Sequence, residues 1–325
     1  MSKTVNILSI DGGGIRGIIP ATFLAMLEER LQQKQNNPNI RLADYFDLIA
    51  GTSTGGLLTC VYLTPDEEDA TRPRFTAKQA VDFYFAYGGS SFMAQEDGGF
   101  HKYSPEGLEG QLRLFFKELK LSQLIKPCCV TAYDLLHTEP YLFQSNKAIG
   151  DPRSDFFVRS VIRSTSALPG IFPPAKVTSM AEREFTFVDG SIFAYNPALF
   201  AYLQAKQLYP QADSITLLSL GTGLATTAYT DKEVENTSYK NWARMLANIA
   251  FDAHSDMVNY QLEDIFKNKP HSTYIRLQPS LHGLNKEMDN VNAENIQSLY
   301  SAGESFVKSN EKTLSEIVEL LVTGR

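Results

Sequence analysis

The sequence predicts an α/β architecture: three layers, with a mostly parallel central sheet, helices on both of its faces, and a helical C-terminal portion. Three observations carry this expectation. Short apolar runs rich in β-branched residues, such as residues 5–10, read as strands buried on both sides. They alternate with longer stretches of helical periodicity, the pattern of a parallel sheet whose crossovers are helices. Two of the strands also run straight into glycine-rich turns, "DGGGIRG" and "GTSTGG", which open helices.

Residues 5–10 are the first strand. Residues 20–33 carry Phe23, Leu24, Leu27 and Leu31 at helical spacing, and "QNNPNI" ends that helix. Residues 46–50 form the second strand, followed by a helix over "GGLLTCVYL" that closes at Thr64-Pro65. Residues 65–75 read as a charged loop and "TAKQAVDFYFAYGG" as a short helix. Ser104-Pro105 caps a helix with Leu108, Leu112, Phe115 and Leu119 on one face. Further strands are expected at 128–134, 141–144, 185–188 and 215–220, and further helices at 155–167, 197–208, 242–266 and 293–321. No repeat or low-complexity linker interrupts this order, so the chain reads as one domain over residues 1–325.

Composition narrows the function. A net charge of -7 and a pI near 5.4 speak against a nucleic-acid partner, because no basic face dominates. They leave contact with lipid open, since apolar side chains dock on lipid without positive charge. Cys60, Cys128 and Cys129 read as buried reduced thiols, being odd in number and lacking a CxxC pair. The N-terminus shows no secretory leader and no run is long and apolar enough to span a membrane, so a cytoplasmic location is the default. Export by a route without a leader stays open.

The first glycine turn fits G-x-G-x-x-G through Gly12, Gly14 and Gly17, but the second strand lacks the acidic residue that would hold a nucleotide ribose. The physical alternative is a loop of backbone N–H groups facing one point at a helix N-terminus, which stabilises an oxyanion. The second turn, Gly51-Thr52-Ser53-Thr54-Gly55, matches G-x-S-x-G in strand-turn-helix context, so Ser53 reads as a nucleophile on a sharp elbow. None of the five histidines sits in a motif suited to a base. Asp189, in "FVDGSIFAYNPA", ends a strand, at the edge of an open α/β sheet where ligands bind. As a base it needs a pKa above the ordinary carboxylate value of about 3.9, which apolar burial supplies.

At these residues the chain resembles the patatins and the wider patatin-like phospholipase family. "LSIDGGGIRGIIPATFL" is similar to the family's oxyanion segment and "RLADYFDLIAGTSTGGLLT" to its nucleophile segment. "STSALPGIFPP", "FVDGSIFAYNPAL", "LLSLGTG" and "NKEMDNVNAENI" extend the likeness over about residues 5–310. The resemblance implies Ser53 as nucleophile and Asp189 as base. It implies an oxyanion hole from the N–H groups of Gly12, Gly13 and Gly14, with Thr54 adding its own and Arg16 stabilising the loop or the developing charge. It further implies hydrolysis of phospholipid, galactolipid or partial-glyceride esters at a membrane or micelle surface, with no metal or organic cofactor. The Asp-Gly motif here is completed by Gly190 and Ser191, where the family more often has Ala or Gly in the last place.

Phe92, Met93, Phe172 and Phe193 are expected to line the acyl chains, and residues 87–103 to form a lid or an ordinary surface loop. A soluble esterase or acyltransferase with the same dyad, and a storage or host-binding protein with an idle site, are the rival readings. A need for an activating protein partner is left open.

Overall fold

The computed structural model describes residues 4–94, 101–224, 230–231, 235 and 237–324. Its centre is an eight-stranded sheet. The strands are β1 (Thr4–Ile10), β2 (Leu48–Thr52), β5 (Cys128–Asp134), β6 (Glu139–Gln144), β7 (Ala175–Thr178), β8 (Glu184–Asp189), β9 (Ser214–Leu220) and β10 (Thr273–Leu277), while the two-residue pieces β3 (Met93–Ala94) and β4 (Tyr103–Ser104) pair apart from it. The order is β10-β9-β1-β2-β5-β8-β7, with β6 also on β5. From β10 to β5 every pairing is parallel; β6, β8 and β7 join antiparallel.

Alternation along the strands explains the three layers. In β1, Leu8 and Ile10 face one way, into a core with Phe23, Leu27, Leu58 and Val130 under the helices Ile18–Gln35 and Thr54–Leu63. Val5 and Ile7 face the other, against Ala198, Ala201, Val258 and Leu262 of the helices Ala198–Leu208 and Tyr239–Lys267.

The antiparallel strands matter most for function. β6 runs along one edge of β5 for six residues, Cys129 to Asp134. β2 and β8 therefore share the other edge: β2 pairs with residues 128–131 of β5, and β8 with Ala132 to Asp134. The two strands meet end to end, Thr52 opposite Thr131 and Asp189 opposite Ala132. Asp189 thus arrives beside Ser53 because β8 runs back toward β2. The expected rule, a ligand at the common C-terminal edge of parallel strands, does not describe this approach, because β8 is antiparallel to β5.

Other boundaries shift for local causes. The helix expected from 155 begins at Val158. Asp155 accepts the Ser122 N–H and hydroxyl instead, while Leu121 N–H bonds Phe156 O and Val158 N–H bonds Leu119 O, which holds 155–157 extended. The C-terminal helix is two, Ala293–Ser309 and Glu311–Thr323, parted at Asn310, whose side-chain amide donates to Phe306 O at 2.9 Å. β7 and β10 were not expected. Both are edge strands, half-exposed or carrying an inward arginine, and neither reads as a clean apolar run.

Candidate active site

Ser53 sits between β2 and its following helix with φ 56° and ψ -121°, a backbone state that non-glycine residues rarely hold without surrounding support. The support is visible. A Cβ on Gly51 would lie 2.0 Å from Gly55 O, and one on Gly55 would lie 2.1 Å from Ile10 O, so the elbow closes on itself and on the end of β1 only with glycines there. Ser53 N–H donates to Thr165 Oγ1 at 2.8 Å, which pins the turn from the far side.

Asp189 is completely buried. Its Oδ1 accepts the Ser191 N–H at 2.8 Å, and its Oδ2 has no hydrogen-bond partner. Burial, opposed by donors from Ser191 and by the nearby Ser53 hydroxyl, pushes the carboxyl up from 3.8 to about 6. Ser53 is thus close enough to act on the carboxyl without a formed bond to Oδ2; catalytic hydrogen bonds are often loose before substrate arrives. Gly190 follows because a Cβ would lie 2.1 Å from Thr131 Oγ1. Thr131 in turn bonds Thr52 at 2.7 Å, and Thr52 donates to Ala194 O at 2.6 Å, tying both strand ends together.

The glycine loop closes the third side. Gly13 has φ 151° and Gly14 φ 59°, both states that favour glycine, and a Cβ on Gly14 would lie 2.0 Å from Met288 O. Gly13 and Gly14 line a small cavity with Ser53, Ser166, Ser191 and Met288, and their N–H groups bond no described residue. The expectation for Gly12 needs correcting: its N–H donates to Tyr195 O at 3.0 Å and is unavailable to a ligand. Arg16 is buried and bonds Gly13 O, Tyr195 and Lys286 O, so it braces the loop from behind and does not face the cavity. Thr54 opens the helix Thr54–Leu63, where the first N–H groups have no intrahelical acceptor, and its hydroxyl is held by Tyr84 at 2.5 Å.

A second, apolar cavity continues from Ser53 along the helix that follows it, lined by Leu57, Leu58, Val61, Phe83, Leu112 and Phe115 among others. Phe92 belongs to both cavities and Phe172 to the small one. Phe193 lies elsewhere, packed on Tyr133 and Phe200, and Met93 is half-exposed beside Gly107. Of the expected lid, residues 87–91 continue the helix Ala77–Ser91, β3 pairs with β4, and 95–100 lie outside the described residues. No histidine lines either cavity. His137 does bond an acid, Asp134, at 2.5 Å, but its other ring nitrogen meets Arg183 at 2.8 Å, and no serine among the described residues bonds its ring.

The model of the patatin-like phospholipases matches residues 8–202. The chain belongs to this family. Patatin-17 of Solanum cardiophyllum is 35% identical over 329 residues, covering 95% of this chain and 85% of its own. Patatin-T5 of Solanum tuberosum is likewise 35% identical, with the same coverage. A further relative from Solanum tuberosum, 34% identical over 97% of this chain and 89% of its own, is described as a probable inactive patatin. Among solved structures, VipD of Legionella pneumophila matches with a TM-score of 0.35 and 13% identity over 95% of this chain and 67% of its own. The patatin-like chain is therefore a lipid acyl hydrolase by kinship, a hydrolase of carboxylic esters, with the central sheet and helical C-terminal part expected of it.

Sequence reasoning missed several residues of this patatin-like site. Arg276 on β10 grips buried Asp11 with bonds of 2.9 and 2.6 Å directly before the glycine loop. Met288 O accepts the Ile15 N–H at 2.8 Å and rims the small cavity. The "NKEMDN" likeness pointed to this loop but not to its place. The pocket helices were legible only as ordinary apolar faces, since core and ligand pocket demand the same side chains.

Proposed function

We propose that Ser53 and Asp189 carry out acyl transfer on fatty-acyl esters of phospholipids, galactolipids or partial glycerides. One observation carries the reading: a serine on a strained elbow meets, end to end along one edge of β5, a buried carboxylate with one oxygen unbonded. Asp189 Oδ2 takes the Ser53 proton as Oγ attacks the ester carbonyl. The oxyanion forms against the Gly13 and Gly14 amides, with the first amide of the helix at Thr54 beside them; each such donor is worth about 3–4 kcal/mol in comparable sites. The protonated carboxyl then gives its proton to the departing alcohol oxygen. Water, deprotonated by the same carboxylate, attacks the acyl-enzyme and releases the fatty acid.

A carboxyl near pH 6 suits both halves of this cycle, accepting and returning a proton near neutrality. The apolar cavity beside Ser53 supports a fatty-acyl group, because it can bury the methylenes of the chain, at about 0.8 kcal/mol each. Long-chain esters of this kind are presented at a membrane or micelle surface, and that is where the reading has the enzyme meet its substrate; no helix among the described residues is long and apolar enough to cross a membrane.

Long-chain phosphatidylcholine vesicles and a short-chain nitrophenyl ester test the reading, with Ser53→Ala as control. We expect fatty-acid release from vesicles that falls by at least ~10⁴-fold in Ser53→Ala. Strong turnover of the short ester with none on vesicles makes the protein a soluble esterase. No turnover of either makes it a protein with an idle site.

A further inference from the structure

The Gly12 and Gly13 carbonyls, which precede the unbonded Gly13 and Gly14 amides, are held by a line of buried side chains. Arg16 Nη2 donates to the Tyr195 hydroxyl at 2.8 Å. The Tyr195 and Thr222 hydroxyls bond at 3.0 Å, and the Thr222 hydroxyl donates to the Gly12 carbonyl. Arg16, Tyr195 and Thr222 are 4%, 2% and 0% exposed, so water does not compete. The ends of this line fix its direction. A guanidinium only donates and a carbonyl only accepts. Each hydroxyl has one proton, so Tyr195 turns its own toward Thr222, and Thr222 turns its own toward Gly12. A second arm runs from Arg16 Nε to the Gly13 carbonyl at 3.3 Å.

In a trans peptide the C=O and N–H point to opposite sides. Holding the Gly12 carbonyl on Thr222 turns the Gly13 N–H away from Thr222. Holding the Gly13 carbonyl on Arg16 turns the Gly14 N–H away from Arg16. Both glycines line the cavity that Ser53 and Ser191 share. A Cβ on Gly13 would lie 2.2 Å from Thr222 Oγ1, so the loop is pressed against its own brace.

We propose that Thr222 and Tyr195 are positioning residues for the oxyanion site. With Arg16 they form a one-way hydrogen-bonded line that fixes the two glycine peptide planes and polarises them toward the developing charge. The inference rests on the acyl-transfer reading above. Its rival is plain packing, in which Thr222 only fills space.

Thr222→Val keeps the shape and loses the hydroxyl; Thr222→Ser keeps the hydroxyl and loses a methyl. Both are compared with the wild type on nitrophenyl butyrate, with kcat and KM separated, and for affinity toward a trifluoromethyl ketone that adds to the serine as a tetrahedral mimic. We expect Thr222→Val to lower kcat by about 10-fold or more with KM within about twofold, and to weaken the ketone by a similar factor, the signature of a lost transition-state interaction. Thr222→Ser should stay within about threefold of the wild type. If Thr222→Val does not fold, Tyr195→Phe breaks the same line while keeping the ring stacked on Phe251, and at least about a fivefold fall in kcat is expected. Thr222→Val, or Tyr195→Phe in its stead, within twofold of the wild type overturns the proposal alone, as does Thr222→Ser falling as far as Thr222→Val. A wild type without Ser53-dependent turnover removes the hydrolase reading and this inference with it.

Discussion

Asp11, just after β1, and Asp189, at the end of β8, are both completely buried at one edge of the sheet, yet they meet burial in opposite ways. Asp11 is gripped by Arg276 through two bonds, and Arg276 is itself held by Ser219 at 2.8 Å and Ser255 at 2.9 Å. Burial raises the Asp11 carboxyl and Arg276 pulls it back. Asp189 has one backbone amide at 2.8 Å and an oxygen with no partner. Burial dominates there, and the carboxyl rises to about 6. The same side chain in nearly the same place is a brace in one case and a base in the other. The difference is whether the protein supplies a cation.

Breaking the brace should cost the most stability. Arg276→Met leaves Asp11 charged and alone in the interior, and we expect a loss of about 3–5 kcal/mol, read as a lower denaturant midpoint. Adding Asp11→Asn should recover part of it, because the penalty belongs to the orphaned charge. Asp189 should respond in the other direction. Its pKa is above the unfolded value, so the wild type loses stability as pH rises from about 4 to about 6 and stays lower above that. Asp189→Asn removes the charge, keeps the oxygen that accepts from Ser191, and should gain about 1–3 kcal/mol at pH 8. That gain should vanish toward pH 4. Thermal unfolding at the two pH values checks both sign and window; a destabilised Asp189→Asn at pH 8 would place Asp189 with Asp11, as a structural acid.

Local chemistry made half of this comparison legible in the sequence. Ser53, Gly51, Gly55 and the glycine loop are contiguous with the strands that aim them, so strand-turn-helix reasoning reached them. Asp189 was reached too, although its approach depends on β8 sharing an edge of β5 with β2, which strand composition cannot reveal. The assignment of Gly12 failed because a carbonyl brought from Tyr195, far along the chain, takes its amide. Arg276 stayed hidden for the same reason, and the family-like segments "LLSLGTG" and "NKEMDN" contained Thr222 and Met288 without showing that these act on the first loop from the distant second half of the sequence. The apolar pocket was hidden differently. Leu57, Val61, Leu112 and Phe115 have the spacing of core residues, and only the gap between their helices separates a pocket from a core.

The dyad itself is tested most directly by the rate at which a fluorophosphonate labels Ser53 between pH 4 and 8, in the wild type and in Asp189→Asn. Labelling requires only the serine, its base and the oxyanion amides, with no lipid surface involved. The account predicts a wild-type rate that climbs with a midpoint near the Asp189 value of about 6, and a rate in Asp189→Asn at least ~100-fold lower and flat across the range. An Asp189→Asn protein that labels as fast as the wild type, with the same pH dependence, would contradict it.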